Sequence, residues 1–133
     1  MLHLALADNP WCEVDEQELG RGGVSYAVDT LRHYAAKFPG AALFYLIGAD
    51  NSTALPQWRA AEELARLAEF VVIPRPGEPA KPPVAPFRGQ LLRGWPMEVS
   101  SSEIRARVKA GLTITHLVPG PVAEVIHNNR LYL

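Results

Sequence analysis

Three consecutive hydroxyls, Ser100-Ser101-Ser102, are followed three residues later by Arg105. They lie where an apolar stretch gives way to a helical pattern. A helix N-terminus presents backbone N–H groups without intrahelical acceptors, and its dipole favours negative charge there. Hydroxyls and an arginine one turn in would complete a site for a phosphate-like anion. Ser100 and Glu103 also have the spacing of a capping box, so the plain alternative is a well-capped helix. A cap needs one hydroxyl, and this segment offers three and an arginine. Two other polar groups follow apolar runs. Gly48-Ala49-Asp50 comes after residues 42–47 (ALFYLI), and Pro74-Arg75 comes after residues 70–73 (FVVI). Either could be ordinary loop polarity. Together, the three groups suit ligands bound beyond the C-terminal ends of strands.

The elements that would hold these groups alternate. Residues 1–7 read as a helix, with Leu2, Ala5 and Leu6 on one face, stopped at Asn9-Pro10. Residues 11–14 read as a short strand, and Gly20-Arg21-Gly22-Gly23 as a turn. Ser25 is placed to cap a helix whose apolar positions are Ala27, Leu31, Tyr34, Ala35 and Phe38, ended by Pro39-Gly40. The ALFYLI and FVVI runs do not alternate, so both of their faces are expected to be buried, as in a parallel sheet covered by helices. Between them, Pro56 should open a helix carrying Trp58, Ala61, Leu64, Ala65 and Ala68. Residues 90–93 and 97–99 read as short strands, residues 100–110 as a helix, and residues 121–128 as a last helix with Val122, Val125 and Ile126 on one face. Strands alternating with helices give an α/β fold with a parallel sheet and flanking helices. Six of the 12 prolines fall between residues 74 and 86. Residues 74–96 are therefore expected to be a surface loop within one domain spanning residues 1–133.

Composition narrows the possible partners. The 133 residues carry 13 Lys+Arg against 14 Asp+Glu, with 48% hydrophobic and 20% charged residues. A globular core is affordable, and wholesale disorder is excluded. The near-neutral balance argues against a nucleic-acid binder. No apolar run nears the ~20 residues of a membrane span. The first residues lack a basic segment before Asp8, unlike a secretory signal. One cysteine, Cys12, cannot form an internal disulfide, which fits a reducing cytoplasm.

VSSSEIR (residues 99–105) resembles the I-S-S-T-x-I-R motif of the nucleotidyltransferase superfamily that includes nicotinate-nucleotide adenylyltransferase. Four more segments, in order, support the likeness. GRGGVSYAVDTL (20–31) resembles R-x-G-x-S-Y-T-x-D-T-L. LIGADNSTALPQW (46–58) resembles I-I-G-x-D…P-x-W. FVVIPRPG (70–77) resembles V-V-x-x-R-P-G. HLVPGPVAEVIHNNRLY (116–132) resembles L-V-P-x-x-V-x-x-Y-I-x-x-x-x-L-Y. The resemblance implies a Rossmann-like fold and adenylyl transfer from ATP, accompanied by Mg²⁺, to nicotinate mononucleotide. It implies that Ser100, Ser101, Ser102 and Arg105 hold the triphosphate, with Ser101, Ser102 and Arg105 acting on the reacting phosphates. Asp50, with Gly48, would contact the nucleotide. Trp58, Ser25 and Tyr26 would line the nicotinate pocket, with Arg75 nearby.

The chain departs from the family in several places. The family's glycine-rich loop with an H-x-G-H signature does not occur here, and His3, His33, His116 and His127 do not reproduce its spacing. Ala27 stands in place of Thr, Ser102 in place of Thr, and Val99 in place of Ile. The expectation is thus of an N-terminally truncated nucleotidyltransferase domain with impaired turnover, in which exposed apolar edges favour homo-oligomers. The alternative is a remnant that binds nucleotide or a partner without turnover.

Overall fold

The computed structural model describes residues 1–74, 81–94 and 99–133. The chain divides into two compact units, one formed by Gln17–Glu98 and the other by Met1–Glu16 with Val99–Leu133.

The first of these carries the sheet. Helices α2 (Gln17–Arg21) and α3 (Ala27–Lys37) precede strand β1 (Phe44–Gly48). A one-turn helix α4 (Ala49–Ser52), a 3₁₀ turn (Leu55–Gln57) and helix α5 (Ala61–Leu67) lead to β2 (Glu69–Ile73), and β3 (Gly89–Leu91) follows. The strands lie in the order β1-β2-β3, all parallel. Tyr45 pairs with Phe70, Ile47 with Val72 and Gly48 with Ile73. The helix between β1 and β2 supplies the crossover that a parallel pair requires. This is the parallel α/β architecture that the alternating pattern implied.

One face of the sheet is covered. Val28 and Leu31 of α3 and Leu64 of α5 pack with Ile47, Phe70, Val72 and Phe87 in one buried cluster. Phe70 is fully buried, with its ring edge-on to Phe87 (centroids 5.4 Å apart, 88° between planes) and tilted against Tyr45 at 5.8 Å. Across the surface, Arg32 of α3 binds both carboxylate oxygens of Glu63 in the first turn of α5, at 2.8 and 2.6 Å, and also reaches Asp29. That hydrogen bond holds the Glu63 carboxyl below its ordinary pKa.

The opposite face corrects the expectation for ALFYLI. Phe44 is 54% and Leu46 59% exposed, whereas Tyr45 and Ile47 turn toward the helices. The run is apolar throughout, but α3 and α5 cover only one side of it. Among the described residues β1 is also an edge strand. Periodicity reports which residues tolerate burial, not which face receives a helix.

Other boundaries shift for local reasons. Residues 11–14 form no strand. The Trp11 and Cys12 amides donate to the side chain and carbonyl of Asn9, and among the described residues no second strand pairs with them. The expected glycine turn is partly helical: α2 takes in Gly20 and Arg21, and the turn narrows to Gly22 and Gly23, both at positive φ. Ser25 does not cap α3, because the N-cap is Tyr26 and no side chain bonds the first turn. The helix expected from Pro56 is broken. Trp58 is extended (φ −70°, ψ 151°), Ala60 is left-handed at φ 54°, and α5 starts at Ala61. Within residues 74–96, β3 joins the sheet and Phe87 is buried, so part of the proline-rich stretch is built into the core. A Cβ on Gly89 would collide with the Phe70 carbonyl, so only glycine fits where β3 meets β2. The second short strand expected at 97–99 lies mostly outside the described residues.

The second unit is helical. Helices α1 (Leu2–Ala5), α6 (Ser101–Lys109) and α7 (Gly120–Asn128) surround a small core of Ile114, Val122 and Ile126, to which Ala5, Ile104 and Val108 add. Val122 and Ile126 sit one turn apart, as the helical period requires.

Candidate functional site

In the sheet-bearing unit, the break between the 3₁₀ turn and α5 builds a cavity. It is lined by Ser25, Tyr26, Ala27, Tyr45, Gln57, Trp58, Arg59 and Leu64, and its volume is about 400 Å³. Extended backbone at Trp58 takes the indole off any helix and sets it edge-on to Tyr45, centroids 6.3 Å apart at 87°. Trp58 is half-buried against the core and lines the cavity as well. One placement therefore packs part of the indole on the core and leaves part of it at the cavity wall. The Arg59 guanidinium lies 4.4 Å from the Tyr26 ring centroid. At that distance the ring face attracts the cation. Burial, and then the nearby Glu18 carboxylate, push the Tyr45 phenol above its ordinary pKa. It stays protonated at neutral pH and able to donate a hydrogen bond.

Ser25, Tyr26 and Trp58 thus come together as the resemblance implied. Tyr45, Gln57 and Arg59 join them, and sequence reasoning did not single these out. Arg59 directly follows the motif tryptophan, the one signal that pointed to it. Tyr45 was hidden in a run read as uniformly buried.

Gly48 and Asp50 sit at the C-terminal end of β1, where Gly48 pairs with Ile73 of β2. Gly48 is the N-cap of α4, and Asp50 is exposed in its first turn. Both are at the sheet edge where open α/β folds place ligands. Neither lines the aromatic cavity. Arg75 lies outside the described residues.

In the helical unit, Ser100 is the N-cap of α6, and its hydroxyl accepts the Glu103 amide at 3.1 Å. The capping reading of Ser100 is therefore met. Accepting that bond leaves the Ser100 O–H free to donate. Ser101 and Ser102 open the helix with exposed side chains, and Arg105 Nη2 donates to Ser102 Oγ at 3.3 Å. The serine-arginine group is thus assembled on one turn. Hydroxyls, first-turn amides and a guanidinium face solvent together, an arrangement that suits phosphate oxygens.

The cytidylyltransferase-like family model matches residues 1–107. A probable nicotinate-nucleotide adenylyltransferase of Herpetosiphon aurantiacus is 37% identical over all of this chain, which spans 71% of that protein. One of a Synechococcus species is also 37% identical over the whole chain, which spans 69% of it. A solved structure of Plasmodium falciparum nicotinic acid mononucleotide adenylyltransferase complexed with APC superposes with a TM-score of 0.64 at 18% identity, covering 84% of this chain and 60% of that one. That likeness shows the fold, a Rossmann-like parallel sheet with flanking helices. Among the described residues, no helix is long and apolar enough to cross a membrane. By its matched residues and its relatives, the chain belongs to the nicotinate-nucleotide adenylyltransferases of the cytidylyltransferase-like family.

Proposed function

We propose that this chain joins the adenylyl group of ATP to nicotinate mononucleotide, giving deamido-NAD and pyrophosphate. The carrying observation is the aromatic cavity at Tyr26, Tyr45 and Trp58, sized for a flat ring, in a chain whose relatives are named for nicotinate nucleotide. The 5′-phosphate oxygen of the mononucleotide forms a bond to the α-phosphorus. The bond from that phosphorus to the bridging oxygen breaks, and pyrophosphate leaves with the electron pair. The attacking oxygen is already anionic, so the protein's work is positioning and charge stabilisation.

Each group has a role in this reading. Trp58 and Tyr26 hold the pyridine ring by their faces, and Ser25 offers it a hydroxyl. Asp50 and Gly48 contact the nucleotide at the end of β1. Ser100, Ser101, Ser102 and Arg105 hold the triphosphate, with Arg105 neutralising the charge that pyrophosphate carries away. Mg²⁺ enters as part of the ATP substrate, since this cation takes phosphate oxygens and water readily. Among the described residues, no group of three or more His, Cys, Asp or Glu side chains is placed to hold a metal. The exposed Cys12 thiol suits a reducing compartment, and we place the protein in the cytoplasm.

A second reading, nucleotide binding without turnover, is favoured by one observation: these 133 residues contain no H-x-G-H. One assay separates the two. The purified chain is incubated with Mg²⁺, ATP and nicotinate mononucleotide, and pyrophosphate is followed with time. Release that needs both substrates supports adenylyl transfer. Saturable binding of both nucleotides with no pyrophosphate supports the second reading.

Self-association belongs to the same proposal. Among the described residues β1 is an edge strand, and its outer backbone edge with the exposed Phe44 and Leu46 offers both pairing groups and apolar area. Light scattering behind a sizing column should show oligomers at micromolar concentration, and Phe44→Thr with Leu46→Thr should shift them toward monomer. A monomeric wild-type chain would count against it.

A further inference from the structure

Among the described residues, Arg59 is the one charged residue that lines the aromatic cavity. Among the described residues no carboxylate pairs with it, and its recorded contact is with the face of Tyr26. A guanidinium stacked on a ring keeps the N–H groups along its edge available. That edge matches the two oxygens of a carboxylate. The local backbone is built to place it: Trp58 is extended, Ala60 takes a left-handed conformation unusual for alanine, and Arg59 lies between them. Among the described residues, no acidic side chain lines the cavity to oppose an incoming anion.

We infer that Arg59 is the specificity-determining residue of the ring pocket. Its guanidinium, held on Tyr26, pairs with the ring carboxylate of nicotinate mononucleotide and so rejects the neutral carboxamide of nicotinamide mononucleotide. The two ligands share ribose, phosphate and ring, so stacking on Trp58 and Tyr26 cannot tell them apart. The charge at the ring substituent can. A hydrogen bond to a charged group, set against the same bond to a neutral one, gives a preference of about 10- to 100-fold. This inference rests on the cavity being the pyridine-nucleotide pocket proposed above.

The test is calorimetric titration of the full chain with nicotinate mononucleotide and, separately, with nicotinamide mononucleotide. It is run on wild type, Arg59→Gln and Arg59→Lys. Arg59 is exposed, so the variants should fold as wild type does, which circular dichroism checks. Wild type should bind the nicotinate form about 10- to 100-fold more tightly. Arg59→Gln should lose that preference by weakening nicotinate binding alone, and Arg59→Lys should keep part of it. An unchanged preference in Arg59→Gln would overturn the inference. So would equal weakening of both ligands, which would put Arg59 on the shared phosphate. If wild type binds both equally, the pocket reading stands and the role of Arg59 fails. If it binds neither, the pocket reading itself fails and takes the inference with it.

Discussion

Arg105→Ala should lower kcat/KM for ATP by about 10²–10³ while leaving the folded chain intact. Arg105 is exposed on α6 and packs into no core, so its removal leaves no cavity. What is lost is the guanidinium that donates to Ser102 Oγ and faces the same solvent as the first-turn amides. Pyrophosphate gathers charge as it leaves, so a fixed cation there counts more in the transition state than in the ground state. Arg105→Lys keeps the charge and loses the planar fork, and should fall between alanine and wild type. Ser102→Ala should cost less, because one neutral hydroxyl is a weaker phosphate donor than a guanidinium. Steady-state kinetics with ATP varied reads all three. A change confined to the thermal midpoint would mean that Arg105 serves only the helix.

Phe70→Ala should cost about 3–5 kcal/mol in urea unfolding. The side chain is fully buried in the middle strand and meets Tyr45 on one side and Phe87 on the other. Truncation leaves a cavity that two neighbouring strands cannot close, since the β2 backbone is fixed by ladders to both β1 and β3. Total stability of a domain is about 5–15 kcal/mol, so this loss consumes much of it. The effect should also reach the ring pocket, because Tyr45 leans on Phe70 and lines the cavity. A variant that stayed folded should bind nicotinate mononucleotide more weakly. An unfolding curve like that of wild type would show that the cluster around Phe70 does not hold the sheet.

The sheet and its parallel sense were legible because long apolar runs separated by helical patterns allow few arrangements. The serine-arginine turn was legible too, since capping chemistry is local and Ser100 bonds a residue three positions away. The rest depended on contacts made across distance in the chain. Residues 11–14 have strand-like side chains but, among the described residues, no strand to pair with. Phe44 and Leu46 are as apolar as Ile47, yet only the Ile47 side receives helices. Trp58 fits the helical period of residues 58–68, but Ala60 turns left-handed and breaks it. That break makes the cavity, so the site proposed for the ring is the one that periodicity conceals. Arg59 was missed for the same reason: a residue at a break has no face to be assigned to.

The amide spectrum of the chain offers the most direct test of the two assignments. A ¹H–¹⁵N correlation spectrum is titrated first with nicotinate mononucleotide and then, in a separate sample, with ATP and Mg²⁺. The mononucleotide should move the amides of Ser25, Tyr26 and Ala27 and the indole N–H of Trp58, the groups around the aromatic cavity. ATP should move the amides of Ser101, Ser102 and Glu103 and the side-chain signal of Arg105, at the start of α6. Saturable shifts in those two sets would place the ring and the phosphates as assigned. No shift with either nucleotide, or shifts centred on α7 and the loop before it, would contradict the assignment.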